Sequence, residues 1–323
     1  MSTAKARLKA GIRRATRWAR TPQPAILMYH RIAQETFDPW GMAVEPDRFA
    51  AQVDWLAANR TVLPLTQFAR LHHDRNLPRD AIALTFDDGY ASVLDAVGLL
   101  ENHGLNATIF LPAELIERGG EFWWDELSHI VVNCAADTLQ ADGARHAVPP
   151  PHERDRQWPP YSPPRTPRQK LFQSLWSILH GMRPASLDAA MAELRSQTPP
   201  IEPNAMDRPL SPQQVRSIDS PAISFGSHGL THPSLPKLGP NEKLREISES
   251  RRRCAALAGS TPASFAYPFG ERDNVSVRLV EEAGYVCACA TGDAFVSSRS
   301  AIFALPRFNI GNWEAEHLRD MLG

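Results

Sequence analysis

The stretch "DAIALTFDDGYASVLDAVGLLENHGLNATIFLPAEL", residues 80–115, decides the fold. Ile82, Leu84 and Phe86 alternate with Ala83 and Thr85, as in a buried strand. Two adjacent carboxylates, Asp87 and Asp88, end that strand. A strand interior has no use for neighbouring charges, so the pair marks a site at its exit. "ASVLDAVGLLENHG" then reads as a helix stopped by Gly104. "NATIFLPAEL" returns to strand. A strand, a helix and a second strand in succession imply parallel βα units.

The same rhythm runs outward in both directions. Upstream, "PAILMYHRI" (Pro24 to Ile32) is a short buried strand that stops at His30 and Arg31. "EPDRFAAQVDWLAANR" follows as a helix, with Pro46 and Asp47 opening it and Phe49, Val53 and Leu56 at helical spacing. "TVLPLTQFARLH" supplies a turn and a shorter helix. Downstream the rhythm breaks between about Glu121 and Leu210. "FWWDELSHIVVNCA" is a helix with an aromatic start. Residues 149–167 contain 8 prolines, too many for regular helix or central strand, and a mobile stretch is expected there. A helical pair covers roughly 168–179 and 187–195. The rhythm resumes with "AISFGSH", "NEKLREISESRRRCAALAG", "ASFAYPFG", "VSVRLVEEAG", "YVCACATG" and "FALPRFNIG". The expected organisation is a basic tail over residues 1–23 and an α/β barrel over 24–323. A helical, proline-rich insertion interrupts the barrel at about 121–210.

Composition narrows the function. The chain has 323 residues, 43% apolar and 22% charged, with a net charge of -1. That is ample for a buried core. It gives no whole-chain electrostatic reason to expect nucleic acid as a partner. No apolar run approaches the roughly 20 residues that cross a bilayer. The first 34 residues hold no acid, and seven Lys or Arg lie within the first 20. No apolar stretch of the secretory type follows them. The tail reads as solvated chain or as a basic helix resting on an anionic membrane surface. Cys134, Cys254, Cys287 and Cys289 form no CxxC pair and read as buried free thiols, as suits a reducing compartment. No feature of the sequence bears on oligomeric state.

In a parallel barrel all strand C-termini open on one face, so residues remote in sequence converge there. Here those residues are His30, Asp87, Asp88, His228 and His232, with the loop "YPFG" (Tyr267 to Gly270). "SHGLTHP" sets His228 and His232 four apart. Gly226, Gly229 and Pro233 argue for a fixed loop there. Two imidazoles and one carboxylate make a three-ligand metal site with an open position, the arrangement for hydrolysis.

The motifs "TFDDG", "SHGLTH" and "YPFG", in that order, resemble the polysaccharide deacetylase family, metal-dependent N-deacetylases on a distorted (β/α) barrel. "ILMYHRI" and "EFWWDELSHI" resemble the branch associated with exopolysaccharide synthesis. The resemblance covers roughly residues 24 to 312. It implies Asp87 as catalytic base and Asp88, His228 and His232 as metal ligands. It also implies that the backbone N–H of Phe269 contributes to an oxyanion hole. The ion is a divalent metal, Zn2+ first and Co2+ or Ni2+ as alternatives.

Two positions depart from the family pattern. Ala266 stands where an arginine usually orients the base, and the late "LxH" histidine is absent. His30 is the candidate general acid in its place, because the first and last strands of a barrel are neighbours; a core role is its other reading. His317, beyond the last strand, is a poor substitute. Arg307, with Arg31 second, is the candidate to orient Asp87. Trp123, Trp124 and Asp125 border a sugar groove or anchor the core. Arg251 to Arg253 read as a solvated helix face.

The expected reaction is removal of N-acetyl from an amino-sugar polysaccharide or glycan precursor, with an N-acetylated carbohydrate as substrate. Hydrolysis of another amide (N-formyl or ureide) and a sugar-binding pseudoenzyme are the rival readings. The expected place is the cytoplasm, with peripheral contact at the inner membrane face through the tail.

Overall fold

A computed structural model describes residues 21–199 and 207–323. The basic tail falls almost wholly on residues 1–20 and lies outside the described residues, as do residues 200–206 of the insertion. In chain order, strands β1 (Ala25–Tyr29), β2 (Arg31–Ile32) and β3 (Ala43–Val44) precede helix α1 (Pro46–Asn59). Then come β4 (Thr61–Val62), α2 (Leu65–His73), β5 (Ala81–Phe86), α3 (Val93–Asn102), β6 (Ala107–Leu111) and α4 (Ala113–Arg118). The insertion holds α5 (Trp123–Asn133), β7 (Thr138–Ala141), β8 (Ala144–Ala147), α6 (Pro167–His180) and α7 (Pro184–Ser196). Next are α8 (Pro212–Ser217), β9 (Ile223–Ser227), α9 (Pro240–Ala258) and β10 (Ser264–Ala266). The chain ends with α10 (Asn274–Glu282), β11 (Cys287–Cys289), β12 (Phe308–Asn309) and α11 (Ala315–Leu322).

The main sheet is parallel throughout, in the order β11-β10-β9-β6-β5-β1-β12, with β4 added beside β5. It curls into a distorted barrel. The seam is closed by the segment leading into β12, which first bridges Cys289 through Leu305 and then pairs β1 through Phe308 and Asn309. The α4 helix and the β7–β8 hairpin carry no sequence signal used above. The α4 helix is one short turn-and-a-half directly after a strand, and β7–β8 packs within the insertion.

Strand parity decides what fills each face. On β1, β5 and β6 the residues Leu27, Tyr29, Leu84, Phe86, Ile109 and Leu111 pack outward, with Phe49, Val53 and Leu56 of α1 in the same cluster. The alternate residues point inward. Ile26, Ala83, Phe110, Ala266, Cys287 and Cys289 share a second cluster inside the barrel. Several of these are small, which leaves interior room for larger side chains from elsewhere. The inward rows continue past the strands: Ile26 and Met28 lead to His30, and Ala83 and Thr85 lead to Asp87. Gly226 belongs to the inward row of β9, where a Cβ would lie 2.4 Å from the Phe110 ring. Two residues later that row reaches His228. The polar site is thus the last inward layer of the barrel.

The insertion has its own apolar cluster, built on Phe122, Trp123, Leu127, Phe172, Leu175 and Leu194. The α6 helix starts at a capping box in which Thr166 Oγ1 accepts from Gln169 N–H and Gln169 Oε1 accepts from Thr166 N–H. The proline-rich stretch is not a free loop. Trp158 is buried, its N–H donates to Thr36 O at 2.8 Å, and its carbonyl accepts from Asp38 N–H at 2.9 Å. Proline blocks regular structure there without preventing an aromatic anchor. A buried ion cluster ties the insertion to the barrel: Arg31 reaches Asp125 at 2.6 Å and Asp207 at 2.7 Å. All four cysteines are buried and free. No helix among the described residues is long and apolar enough to cross a membrane.

Gly226→Ala would force a methyl into the Phe110 ring below the site. The expected cost is about 1–3 kcal/mol, read as a lower urea midpoint with an unchanged slope. An unaltered midpoint would show that the inward layer is not close-packed at this point.

Candidate active site

Asp87 and Asp88 leave β5 in different directions, and backbone conformation is the cause. Asp87 keeps the strand's inward parity, and its N–H donates to Tyr29 O at 2.9 Å. Asp88 and Gly89 then both adopt left-handed conformations, with φ of 67° and 66°. A non-glycine residue there is uncommon and costs energy. The turn carries the second carboxylate away from the first.

Asp87 is gripped by Arg307. Nη1 donates to Oδ1 at 2.7 Å and Nη2 donates to Oδ2 at 2.6 Å, a bidentate pair. The guanidinium is completely buried. Two more of its donors are used: Nε reaches Ala290 O at 3.0 Å and Nη1 also reaches Thr85 Oγ1 at 3.1 Å. It lies over the Phe110 ring, 5.5 Å from the centroid. The β1–β12 register sets Phe308 beside Leu27, so Arg307 enters from below the site and reaches up to the carboxylate. Burial by itself would push the Asp87 carboxyl up. Arg307, His228 and His30 outweigh it and hold Asp87 below the ordinary carboxylate range.

Asp88 faces the histidines instead. Its Oδ1 lies 3.4 Å from His228 Nε2 and 3.2 Å from His232 Nε2, and the two imidazole nitrogens are 3.2 Å apart. Three donor atoms thus converge on one point from buried side chains. Asp88 Oδ1 has no hydrogen-bond partner among the described residues. A buried carboxylate oxygen without a partner is costly, and a cation at the convergence point would satisfy it. His228 Nδ1 lies 2.8 Å from Ala266 O, which fixes that ring as donor there and turns the Nε2 lone pair toward the centre. The His232 ring is held by aromatic neighbours, Phe269 at 4.5 Å and Trp124 at 4.9 Å. The donor set fits a divalent metal.

The charges agree with this picture. Burial resists ionisation of Asp88, yet the His232 charge and both histidine contacts hold its carboxyl well below the usual value. Burial also disfavours the charged forms of His30 and His232, and both sit below the ordinary imidazole value. His228 ends above it, because Asp87 and Asp88 overcome its burial.

These groups floor a half-open cavity of about 460 Å3. His30 lines it, on the strand beside Asp87: Tyr29 pairs with Phe86, so the two residues leave neighbouring strands at one level. His30 Nδ1 is buried without a partner among the described residues. Trp40, Trp124, Trp176, His180 and Phe269 wall the cavity. The candidate residues His30, Asp87, Asp88, His228, His232 and Phe269 therefore share one space, with Arg307 packed beneath. Arg31 does not join them. It pairs with Asp125 and Asp207 and lies 4.5 Å over the Tyr90 ring, so it does not orient Asp87. Trp123 is buried in the insertion, whereas Trp124 reaches the cavity and donates through Nε1 to Tyr90 Oη at 2.7 Å. Arg251 bonds the carbonyls of Pro262 and Gly284, Arg252 pairs with Glu249, and Arg253 pairs with Glu114, Glu117 and Glu249. His317 stacks on Trp313 in the region of α11.

Sequence reasoning did not find Glu246. It lies on α9, and its carboxylate accepts from Leu230 N–H at 2.7 Å, Thr231 N–H at 3.1 Å and Thr231 Oγ1 at 2.8 Å. That clamp sets the loop between the two histidines. No local motif announces it, since an acid in a charged helix looks like surface. Trp40, Trp176 and His180 were missed for a similar reason. Tertiary folding alone brings Trp176 and His180 of the insertion, and Trp40 of the loop between β2 and β3, to the cavity.

Comparison with known proteins agrees with the motifs. The family model for polysaccharide deacetylase matches residues 74–139 and 190–288. The protein named "Putative polysaccharide deacetylase YxkH" of Bacillus subtilis is 34% identical over 299 residues, covering 91% of this chain and 74% of that protein. Among solved structures, the Streptococcus pyogenes deacetylase PplD, in complex with acetate, superposes with a TM-score of 0.60 at 18% identity. It covers 94% of this chain and 100% of that one. IcaB from Ammonifex degensii gives 0.56 at 14% identity, covering 93% and 97%. At such identities these two likenesses bear on the fold, a distorted (β/α) barrel.

Arg307→Ala would strand the Asp87 carboxylate without its counter-charge. The expected loss is roughly 3–5 kcal/mol in urea denaturation. The pH dependence should also weaken. In the parent protein the contribution of Asp87 is complete above its unfolded pKa and is lost as pH falls through the lowered folded value. In the variant burial is opposed only by His228 and His30, so the lowering shrinks and the loss of stability toward acid is smaller. An unchanged pH profile would show that the pair does not control Asp87.

Proposed function

Because the chain belongs to the polysaccharide deacetylase family, hydrolases of non-peptide carbon–nitrogen bonds, we propose that it removes N-acetyl groups from an amino-sugar polysaccharide or glycan precursor. The products are acetate and a free amine. The observation that carries this reading is the pairing of two unlike carboxylates at the floor of one cavity: Asp87, fixed by Arg307, beside Asp88, which converges with two imidazoles.

The chemistry sets the roles. An amide is a weak electrophile with a poor leaving group. Asp88, His228 and His232 would hold a divalent ion, zinc first and cobalt or nickel as alternatives. When bound, that ion supplies polarisation of the acetyl carbonyl and acidification of water. Asp87 is the base that takes a proton from the attacking water. Its orientation is fixed by the bidentate grip of Arg307, which leaves it no freedom to turn toward the histidines. The backbone N–H of Phe269, in a loop bent by a φ of 57°, is the proposed donor to the developing oxyanion. His30 is the proposed donor of a proton to the departing amine. It faces the same cavity and leaves its strand level with Asp87. Proton uptake from water at one residue and delivery to nitrogen at another lets the carbon–nitrogen bond break with the charges balanced. The aromatic walls suit the apolar faces of a sugar ring.

The basic composition of the first 20 residues supports a precursor linked to lipid or nucleotide, handled on the cytoplasmic side at the membrane surface. Recovery of the native protein from another compartment would remove that part of the reading.

Acetate release from N-acetylated oligosaccharides is expected, abolished by a chelator and restored by added metal. Asp87→Asn should keep the metal and lose about 10²–10⁴-fold in kcat. His228→Ala should lose the metal, and a variant that still bound stoichiometric zinc would sink the ligand assignment. His30→Ala should retain metal and lose turnover strongly. Because burial holds the His30 imidazole below its ordinary value, the parent kcat should fall as pH rises through that lowered value. The fall should be missing in His30→Ala. Full turnover in the variant would remove His30 from the mechanism.

A further inference from the structure

The family model passes over residues 140–189, the part of the insertion that holds the proline-rich stretch and α6. That stretch presents Tyr161 to solvent. It is the most exposed large apolar side chain among the described residues, at 61%. A single exposed aromatic residue ordinarily needs no explanation. This one is fixed in place on every other side. Its φ is 55°, a left-handed conformation that is an outlier for a bulky residue. Its N–H donates to Pro39 O at 3.1 Å, and the neighbouring Ser162 carbonyl accepts from Trp158 Nε1 at 2.8 Å. The ring lies so close over Gly41 that a Cβ there would come within 2.6 Å of it. Its hydroxyl accepts from Asn309 Nδ2 at 2.7 Å.

Those contacts also give its place. Asn309 lines the catalytic cavity, and so does Trp40, the residue before Gly41. Trp40 packs against Trp176 with centroids 4.8 Å apart, and Trp176 stacks on His180, whose ring meets Phe269 at 4.5 Å. Aromatic rings therefore follow one another from the proposed oxyanion loop up the cavity wall to Trp40. Tyr161 stands beside the end of that series, joined to it through Gly41 and Asn309, with strained backbone and one pinned orientation. Strain of this kind persists where the surrounding structure over-determines it, and it clusters at ligand clamps.

We propose that Tyr161 is a fixed stacking platform for a sugar residue of a glycan chain that runs out of the catalytic cavity, at least two units away from the residue being deacetylated. This proposal rests on the deacetylase reading for the nature of the ligand. It makes the substrate a chain of linked sugars, and it makes chain length the property that Tyr161 senses. A rigid ring loses little freedom on binding, so stacking on it costs less than stacking on a mobile side chain.

The test is calorimetric binding of β-linked N-acetylglucosamine oligosaccharides of two and six residues, in both 1,4 and 1,6 linkage. An Asp87→Asn background keeps the ligand intact. Tyr161→Ala should weaken binding of the longer ligand roughly 3- to 10-fold and leave the shorter one unchanged. Tyr161→Phe, which keeps the ring, should retain most of the long-chain affinity. Equal weakening at both lengths would mark Tyr161 as a structural cover for Gly41 and overturn the proposal. Unaltered affinity at both lengths, or no binding of either ligand, would overturn it too. Length-dependent binding with no acetate released by the unsubstituted enzyme would instead sink the deacetylase reading and leave the platform standing.

Discussion

The buried pair of Arg307 and Asp87 is the constraint on which the site depends. A guanidinium with no exposure and a carboxylate with almost none exist together only if each satisfies the other. The geometry that achieves this is supplied by the whole barrel. Small inward residues on β5, β10 and β11 leave space for the arginine. The last segment crosses the seam, bridging β11 before it pairs with β1. Ala290 and Thr85, from the two sides of that seam, accept two more of its donors. The interaction is therefore structural and chemical at once. It closes the barrel where the ladder is thinnest, and it fixes the orientation of the carboxylate that faces the cavity.

A second feature is the distribution of backbone strain. Among the described residues, seven non-glycine positions have positive φ, and Asp88, His232, Phe269 and Asp293 among them line the candidate active-site cavity. These positions are distributed over four separate loops. Each loop turns sharply to bring one side chain or peptide into the cavity from a different strand. Glu246 shows how such a turn is held, with one buried carboxylate tying down the loop between the two histidines. These turns and the Glu246 clamp together set where Asp88, His228 and His232 meet.

Much of this was legible in the sequence. Alternation in Ile82, Leu84 and Phe86 identified a strand, and the break at Asp87 identified its end. The same parity rule predicts the inward layer, because His30 continues Ile26 and Met28. The grouping of one carboxylate with His228 and His232 followed from residue type and from the rule that strand ends share a face, and the resemblance to the deacetylase family implied that Asp88 is that carboxylate. What sequence did not reveal depended on long-range packing. Arg31 and Arg307 both precede apolar residues near short strands, and nothing local tells which one meets Asp87. The register of β12 against β1 decides it, since only that offset carries Arg307 beneath the site. The proline-rich stretch looked mobile because proline forbids ladders and helices. Its order comes in part from Trp158, a buried residue whose backbone pairs with Thr36 and Asp38, more than a hundred residues away.

The small interior has one further consequence. The family pattern that this sequence resembles has an arginine at the position of Ala266, on the strand opposite the seam from β12. Here Ala266, Phe110 and Cys289 share one inward cluster, and Arg307 lies over Phe110. An arginine side chain at 266 would therefore have to enter the interior space that Phe110, Cys289 and Arg307 already fill.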